Sequence, residues 1–372
     1  MLTSTLGIRV ILWMGPTVPL PAPVAVSAAL TRIEVTNDAD QGDGFQLSFT
    51  MGKDSVVEYG LLRAGAIQPF SRIIIGVVFG VLPEVLIDGV VTHHQVAPSN
   101  EPGQSVLTIT GKDVSLMMDL EEKNAQYPNL PDFLIFTKIV AGYAQYGLVP
   151  LPTPTADLPI MLLRIPRQHE TDFRFLQRLA RRNGYVFYIE PITFGVSQAY
   201  FGPENRLSLP QPALSQNLGP ATNLKSLSFS HDALAPFSTE GTVVEPITKT
   251  ALPVPSLPSL RVPPLAAEPT TARRKVLLRQ TAGQSPITAA TSAVAAVSRS
   301  PDAISGQGEL DAVRYGHALR ARKLVGVRGA GLSYDGFYYV RRVTHVIERG
   351  SYTQRFTVSR EGTTTLLPAV IP

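Results

Sequence analysis

The chain has 372 residues, 44% apolar and only 17% charged, with a net charge of +4 and no cysteine. Its length allows two or three domains with real cores, and the missing cysteines exclude disulfides and thiolate metal sites. Positive charges lie singly or in pairs, which gives no basic block for nucleic acid, and the low charge content fits a surface partly covered by protein partners.

Residues 1–29 read as an extended, Pro-rich N-terminal segment. Leu6 to Met14 is apolar, but Arg9 interrupts it, no positive charge precedes it, and Pro16, Pro19, Pro21 and Pro23 follow, against the pattern of a secretory leader. No stretch reaches the ~20 apolar residues of a membrane-spanning helix, so no direct membrane insertion is expected.

Residues 30–112 form a first β-barrel domain. Leu30 to Thr36 and Phe45 to Met51 alternate apolar and polar residues around a turn at Asp38 to Gly44, and strands follow at Arg72 to Phe79, Glu84 to Thr92 and Ser105 to Gly111. Residues 113–190 are α+β. Asp113 caps a short helix carrying Val114, Met117, Met118 and Leu120. A second helix starts at Asp132, with Ile135, Phe136, Ile139, Val140 and Tyr143 at helical spacing and Gly147 as its stop. The third starts at Thr171 and Asp172. Phe175, Leu176, Leu179 and Ala180 share one face, Arg174, Gln177, Arg178, Arg181 and Arg182 the other, and Gly184 ends it before a strand at Tyr185 to Glu190.

Residues 191–362 form a second β-barrel domain, opening with a strand at Leu224 to Phe229. Residues 246–305, rich in Pro, Ala, Ser and Thr, read as a long insertion with a short strand at Lys275 to Arg279 and an Ala-rich helix from Pro286 to Ser298. A helix near Leu310 to Lys323 leads into a strand at Leu324 to Arg328. The Asp335-Gly336 turn then joins strands at Phe337 to Glu348 and Tyr352 to Arg360, and 363–372 is a tail. The fold class is α+β, mainly β: two antiparallel β-barrel domains with an α+β middle region.

No catalytic, cofactor or metal constellation stands out. None of His93, His94, His169, His231, His317 and His345 pairs at the spacing of a zinc helix, and surface or partner-facing positions suit them. Gly326, Gly329 and Gly331 match neither a dinucleotide fingerprint nor a P-loop and suit a tight turn. Asp119, Glu121 and Glu122 would need an opposing carboxylate to act as a glycosidase pair; a solvated helix end is the plainer reading.

The run from Thr171 to Tyr188, with Asp172, Phe175, Leu176, Leu179, Gly184 and Tyr185 in place, resembles the helix-to-strand signature of phage late control protein D and of VgrG hub segments. Val325 to Gly331, Asp335 to Val340 and Tyr352 to Arg360 resemble the ending of that family. Tyr200 to Pro203 and Leu86 to Val91 are similar to its barrel strands. The resemblance spans about residues 30 to 365 and is nearest in style to hubs of extracellular contractile injection systems. It implies two tube-protein-like barrels and a structural, non-enzymatic role: a homotrimer joining the hexameric inner tube to a separate trimeric spike, beside other baseplate components. Assembly in the bacterial cytoplasm, with release in the particle, goes with that role. The residues it singles out for motif and assembly are Asp172, Phe175, Leu176, Arg178, Leu179, Arg181, Gly184, Tyr185, Gly329, Gly331, Asp335, Gly336 and Arg360. A tail-associated peptidoglycan hydrolase and a carbohydrate-binding tail-tip protein are the alternatives.

Overall fold

A computed structural model describes residues 7–51, 67–101, 103–156, 159, 165–244, 250–254, 258–278 and 286–366. Its N-terminal β unit consists of β1 (Ile8–Gly15), β2 (Leu20–Pro21), the short α1 (Val24–Ala29), β3 (Leu30–Asp38), β4 (Gly44–Met51), β5 (Arg72–Phe79), β6 (Leu82–Ala97) and β7 (Ser105–Asp113). Alternation does the sorting. In β4, Phe45, Leu47, Phe49 and Met51 are buried while Gln46 is exposed, as the period of two requires. These side chains join Ile33, Val35, Ile73, Ile75, Leu107 and Ile109 in one core.

The middle region contains β8 (Glu122–Gln126), α2 (Asp132–Ala141), β9 (Leu148–Pro152), β10 (Arg167–Thr171), α3 (Asp172–Asn183), β11 (Val186–Thr193) and β12 (Val196–Gly202). The helices α2 and α3 bury Ile135, Phe136, Phe175, Leu176 and Leu179 against Ile189, Ala199 and Phe201 of a three-stranded sheet, β11–β12–β9. Asp113 caps a 3-10 turn at Val114–Met118, its Oδ1 accepting from Ser115 N at 2.8 Å. Gly147 terminates a 3-10 turn at Ala144–Tyr146; α2 itself ends at Ala141.

The C-terminal part comprises β13 (Gln211–Ser215), β14 (Leu224–His231), β15 (Phe237–Val244), β16 (Ala251–Val254), β17 (Ala266–Pro269), β18 (Arg274–Leu277), α4 (Pro286–Ser298), β19 (Ile304–Asp311), α5 (Ala312–Tyr315), β20 (Leu324–Arg328), β21 (Gly336–Glu348), β22 (Ser351–Arg360) and β23 (Gly362–Thr365). Leu214, Leu224, Ile304, Leu310, Val325, Tyr338, Val340, Phe356 and Val358 form its core. In β22, Tyr352, Gln354, Phe356 and Val358 are buried together, the face the alternation predicts.

Five expectations need correction. The N-terminal segment is not merely extended: β1 pairs with β5 over eight residues and buries Ile8, Leu12 and Met14 in the first core. Its alternation was masked by Arg9 and the prolines. The helix expected at 310–323 shrinks to one turn, because Gly316 in the left-handed region ends it and Asp311 belongs to β19. Tyr200 to Gly202 lie in β12 of the middle sheet, not in a barrel. The 363–372 tail begins as β23, which pairs with β17 of the insertion. The strand expected at Lys275 to Arg279 runs Arg274–Leu277, and Arg279 lies outside the described residues.

The two β units share one strand order. Among the described residues the first runs β3–β4–β7–β6–β5 and the second β14–β19–β22–β21–β20, and both belong to one 13-stranded sheet. Irregularities recur at matching places. The β3–β4 register shifts between Leu30 and Arg32, and that of β14–β19 between Leu224 and Ser226. The β6–β7 register shifts between Val91 and His93, and that of β21–β22 between Val340 and Arg342. Bulges re-aim a strand, so two at equivalent positions mark the same bend built twice. Beside each second bulge stands a bulky residue in the left-handed region, Phe70 (φ 66°) and Arg322 (φ 64°). Phe70 N donates to Val91 O, and Arg322 N to Val340 O.

Candidate assembly surface

The α3 motif is built as its sequence suggests. Thr171 Oγ1 accepts from Arg174 N at 3.3 Å and donates to Asp119 Oδ1 at 2.5 Å, so the cap satisfies an end donor and ties α3 to the preceding turn. Replacing Thr171 by Ala should cost about 1 kcal/mol, measurable by urea titration. Asp172 is buried and accepts from Lys123 Nζ at 2.5 Å, Tyr143 OH at 2.7 Å and Gln168 Nε2 at 2.7 Å. Its negative charge also suits the helix N-terminus. Phe175, Leu176 and Leu179 fill the middle core. Gly184 is left-handed (φ 69°), and an added Cβ would sit 2.8 Å from Ala295 Cα of α4. Tyr185 OH donates to Pro154 O at 2.8 Å.

The arginine face divides. Arg178 donates to Glu170 Oε1 (2.6 Å) and Arg167 O (2.9 Å) and lies 5.0 Å from the Phe175 ring centroid. Arg174 approaches Asp119 at 3.5 Å, and Arg182 pairs with the buried Asp132. Arg181 is exposed, with no side-chain hydrogen bond or ion pair to the described residues. Burial, and then the like charge of Arg181, lower the pKa of Arg299. Arg181 is thus the arginine of this face with no hydrogen bond or ion pair among the described residues.

The C-terminal motif forms a latched turn. Arg360 is wholly buried; Nη1 donates to Asp335 O at 2.9 Å, Nη2 to Ser333 O at 2.6 Å, and its guanidinium lies 4.4 Å from the Tyr338 ring centroid. Asp335 Oδ1 accepts from Ala330 N at 2.8 Å. Gly329 (φ 83°), Gly331 (φ 96°) and Gly336 (φ 123°) all lie in the left-handed region. At Gly329 an added Cβ would fall 1.9 Å from Gln216 O. Gly329→Ala should therefore lose roughly 1–3 kcal/mol from strain alone, visible as a lower thermal midpoint. The thirteen residues fall into these two clusters, one in the middle region and one in the C-terminal unit.

Asp119, the candidate acid, is engaged by Thr171 and Arg174, while Glu121 and Glu122 are exposed. Among the described residues no three His, Asp or Glu side chains group as a metal site would. His345 corrects the surface reading of the histidines. It is wholly buried with Nδ1 2.9 Å from Tyr352 OH, and burial, then nearby Arg320, push its pKa down to about 3.

Sequence reasoning missed what holds the units together. Buried Arg72 pairs with Asp88 at 2.6 Å and reaches Thr17 O and Tyr146 O, fastening the N-terminal unit to the middle. Buried Arg322 grips Asp43 at 2.5 Å and Asp38 O at 2.5 Å, 4.6 Å from the Tyr188 ring centroid. Asp302 gathers Arg261 (2.6 Å), Arg341 (3.0 Å) and Arg206 (3.8 Å) around one carboxylate.

The two β units meet where β21 pairs antiparallel with β3, from Arg342 opposite Asp38 to Glu348 opposite Arg32. Arg342 forms an ion pair with Asp38, Arg32 with Glu348 at 2.5 Å, and the Thr36 and Thr344 hydroxyls meet at 3.1 Å. One face of the joined sheet is polar across the seam: Ser226, Glu309, Arg355, Thr344 and Thr36 stand side by side on successive strands. The opposite face feeds the cores. A sequence signal for the repeat existed: Leu30-Thr-Arg-Ile33-Glu-Val35-Thr36-Asn-Asp38-Ala39 parallels Leu224-Lys-Ser-Leu227-Ser-Phe229-Ser230-His-Asp232-Ala233.

No protein-family model matches the sequence, and no curated protein matches it. Solved structures do match. The 43 kDa tail protein of prophage MuSo2 from Shewanella oneidensis is 14% identical with a TM-score of 0.64, over 95% of this chain and 98% of that one. The tail protein from Neisseria meningitidis MC58 is 14% identical with a TM-score of 0.62, over 96% and 98%. The E. coli c3393 protein, described as a type VI secretion component structurally similar to T4 tail proteins gp27 and gp5, is 14% identical with a TM-score of 0.56, over 92% and 77%. The chain shares the fold of these tail proteins and of the type VI secretion component.

Proposed function

We propose, from a fold shared with phage tail and VgrG-like proteins, that this chain is the baseplate hub of a contractile, phage-tail-like injection machine. It acts as a homotrimeric adaptor between a hexameric inner tube and a trimeric spike, alongside other baseplate components, and catalyses nothing. The observation that carries this reading is the duplicated β unit, with its strand order, two register shifts and left-handed residue repeated. Three such chains present six similar β units to a six-fold tube. Features that occur once per chain, such as α3 and α4, keep three-fold symmetry for the spike. Buried Arg322 serves this role by tying the C-terminal unit to Asp43 and Asp38 of the N-terminal one, and the exposed Arg181 offers a contact point. The particle is assembled in the bacterial cytoplasm.

The test is electron microscopy with light scattering on the purified chain, alone and with its tube protein. A ring with six similar lobes made of three chains is the expected result. A chain that stays monomeric with tube and spike proteins present would sink the reading.

A further inference from the structure

Three parts of the chain meet around one pair of buried carboxyls. Asp43, in the turn between β3 and β4, and Asp113, at the end of β7, are 5% and 8% exposed. Asp113 N donates to Asp43 O at 3.1 Å and Asp43 N to Asp113 Oδ2 at 3.2 Å, so the two residues lie against each other. Arg322, from the C-terminal part, gives Nη1 (3.0 Å) and Nη2 (2.5 Å) to Asp43, which also accepts from Asn37 Nδ2 and Asp38 N. Asp113 has the N–H and hydroxyl of Ser115 and the N–H of Asp43, and no cation among the described residues. Two carboxyls share one arginine, and that arginine sits with Asp43. A buried carboxyl without a counter-charge, beside a second carboxylate, is costly to ionise. Capping the 3-10 turn does not require the charge, since Asn or Ser caps as well.

We infer that Asp113 is a proton-binding site, and that proton uptake there in mildly acidic surroundings tightens the joint between the N-terminal, middle and C-terminal parts. Burial, and then the charge of Asp43, push the Asp113 pKa up to about 6, against the opposing pull of the Ser115 hydroxyl and the two N–H groups. The other ionisable groups around the joint are matched, exposed or neutral. On β6, next to the Gly89 that stands opposite Asp113, Asp88 pairs with Arg72. In the β3–β4 turn Asp38 pairs with Arg342, and Asp40 is exposed. Lys112 is exposed on the opposite side of β7. On β11, burial pushes the Tyr188 hydroxyl up, so it stays neutral, and Glu190 pairs with Lys323 at 3.2 Å. Asp113 is the group left to bind the proton. All these contacts lie within one chain, so the device operates whatever the chain assembles with.

A carboxyl raised in the folded state contributes stability that is complete below its unfolded value of about 3.9. That contribution is lost as pH rises through about 6. Denaturant titrations of the full-length chain from pH 4 to pH 8 read this directly. Asp113→Asn keeps the cap and cannot ionise, so its unfolding constant should fall relative to the wild type by at least about ten-fold across that range. Groups distant from the joint, Asp302 included, cancel in the ratio. Infrared difference spectra should show a protonated carboxyl in the wild type at pH 5 that is missing from the variant. Ser115→Ala removes a hydroxyl that favours the charged form, so it should move the wild-type midpoint to higher pH. A ratio that stays constant with pH, or a midpoint that Ser115→Ala leaves in place, would overturn the proton site. Should Asp113→Asn fail to fold, the wild-type infrared band and its displacement in Ser115→Ala decide: no carboxyl titrating between pH 5 and pH 7 sinks the inference.

Discussion

Replacing Asp302 by Ala should destabilise the protein by about 3–5 kcal/mol, because it strands buried arginines without a counter-charge. Arg206 and Arg261 are buried or nearly so, and Arg341 is largely covered. Burial opposes ionisation of Asp302, but Arg261, Arg341 and Arg206, with the Ser359 hydroxyl, outweigh it and hold the carboxyl down to about 2. A carboxyl depressed in the folded state contributes stability that is complete above its unfolded value of about 3.9. That contribution is lost as pH falls from there through about 2. Denaturant titrations between pH 5 and 2 should show a steep acid loss in the wild type and a shallower one in Asp302→Ala. A cost below about 1 kcal/mol would mean that the arginines find solvent instead.

Leu176→Ala should cost about 2–5 kcal/mol, since the side chain is wholly buried between α3 and the middle sheet. Arg181→Ala, on the opposite face of the same helix, should change protomer stability by less than about 0.5 kcal/mol. If the chain is the hub proposed above, the same change should instead weaken assembly. Thermal unfolding of the isolated chain, set beside sedimentation of the assembly, separates the two effects. Equal thermal losses for the two variants would show that Arg181 is structural.

Local periodicity made much of the fold legible. Strands with clean alternation, such as β4 and β22, and the α3 amphipathy with its Thr171 cap and Gly184 stop follow from side-chain spacing and end chemistry. What escaped depends on pairing across long sequence separations. Nothing near Arg9 announces that β1 completes a core, and nothing near Thr363 says that it pairs with Glu268. Buried ions escaped for a related reason. Arg72, Arg322 and Asp302 look like surface residues until the chain brings their partners together. The duplicated unit was readable in the Leu30 and Leu224 stretches, but three identical and three similar residues in ten stand out only once the strands are superposed.

The β3–β21 seam joins side chains as far apart as Arg32 and Glu348, 316 positions along the chain. A ribosome making this protein releases β3 long before its partner strand exists. Until then that edge, with its row of open amides, can pair with any passing strand. Contacts so distant also form slowly, because a large loop must close before they are rewarded. A chain truncated before β21 cannot complete this seam and keeps the β3 edge open, so the last strands made close the first unit begun.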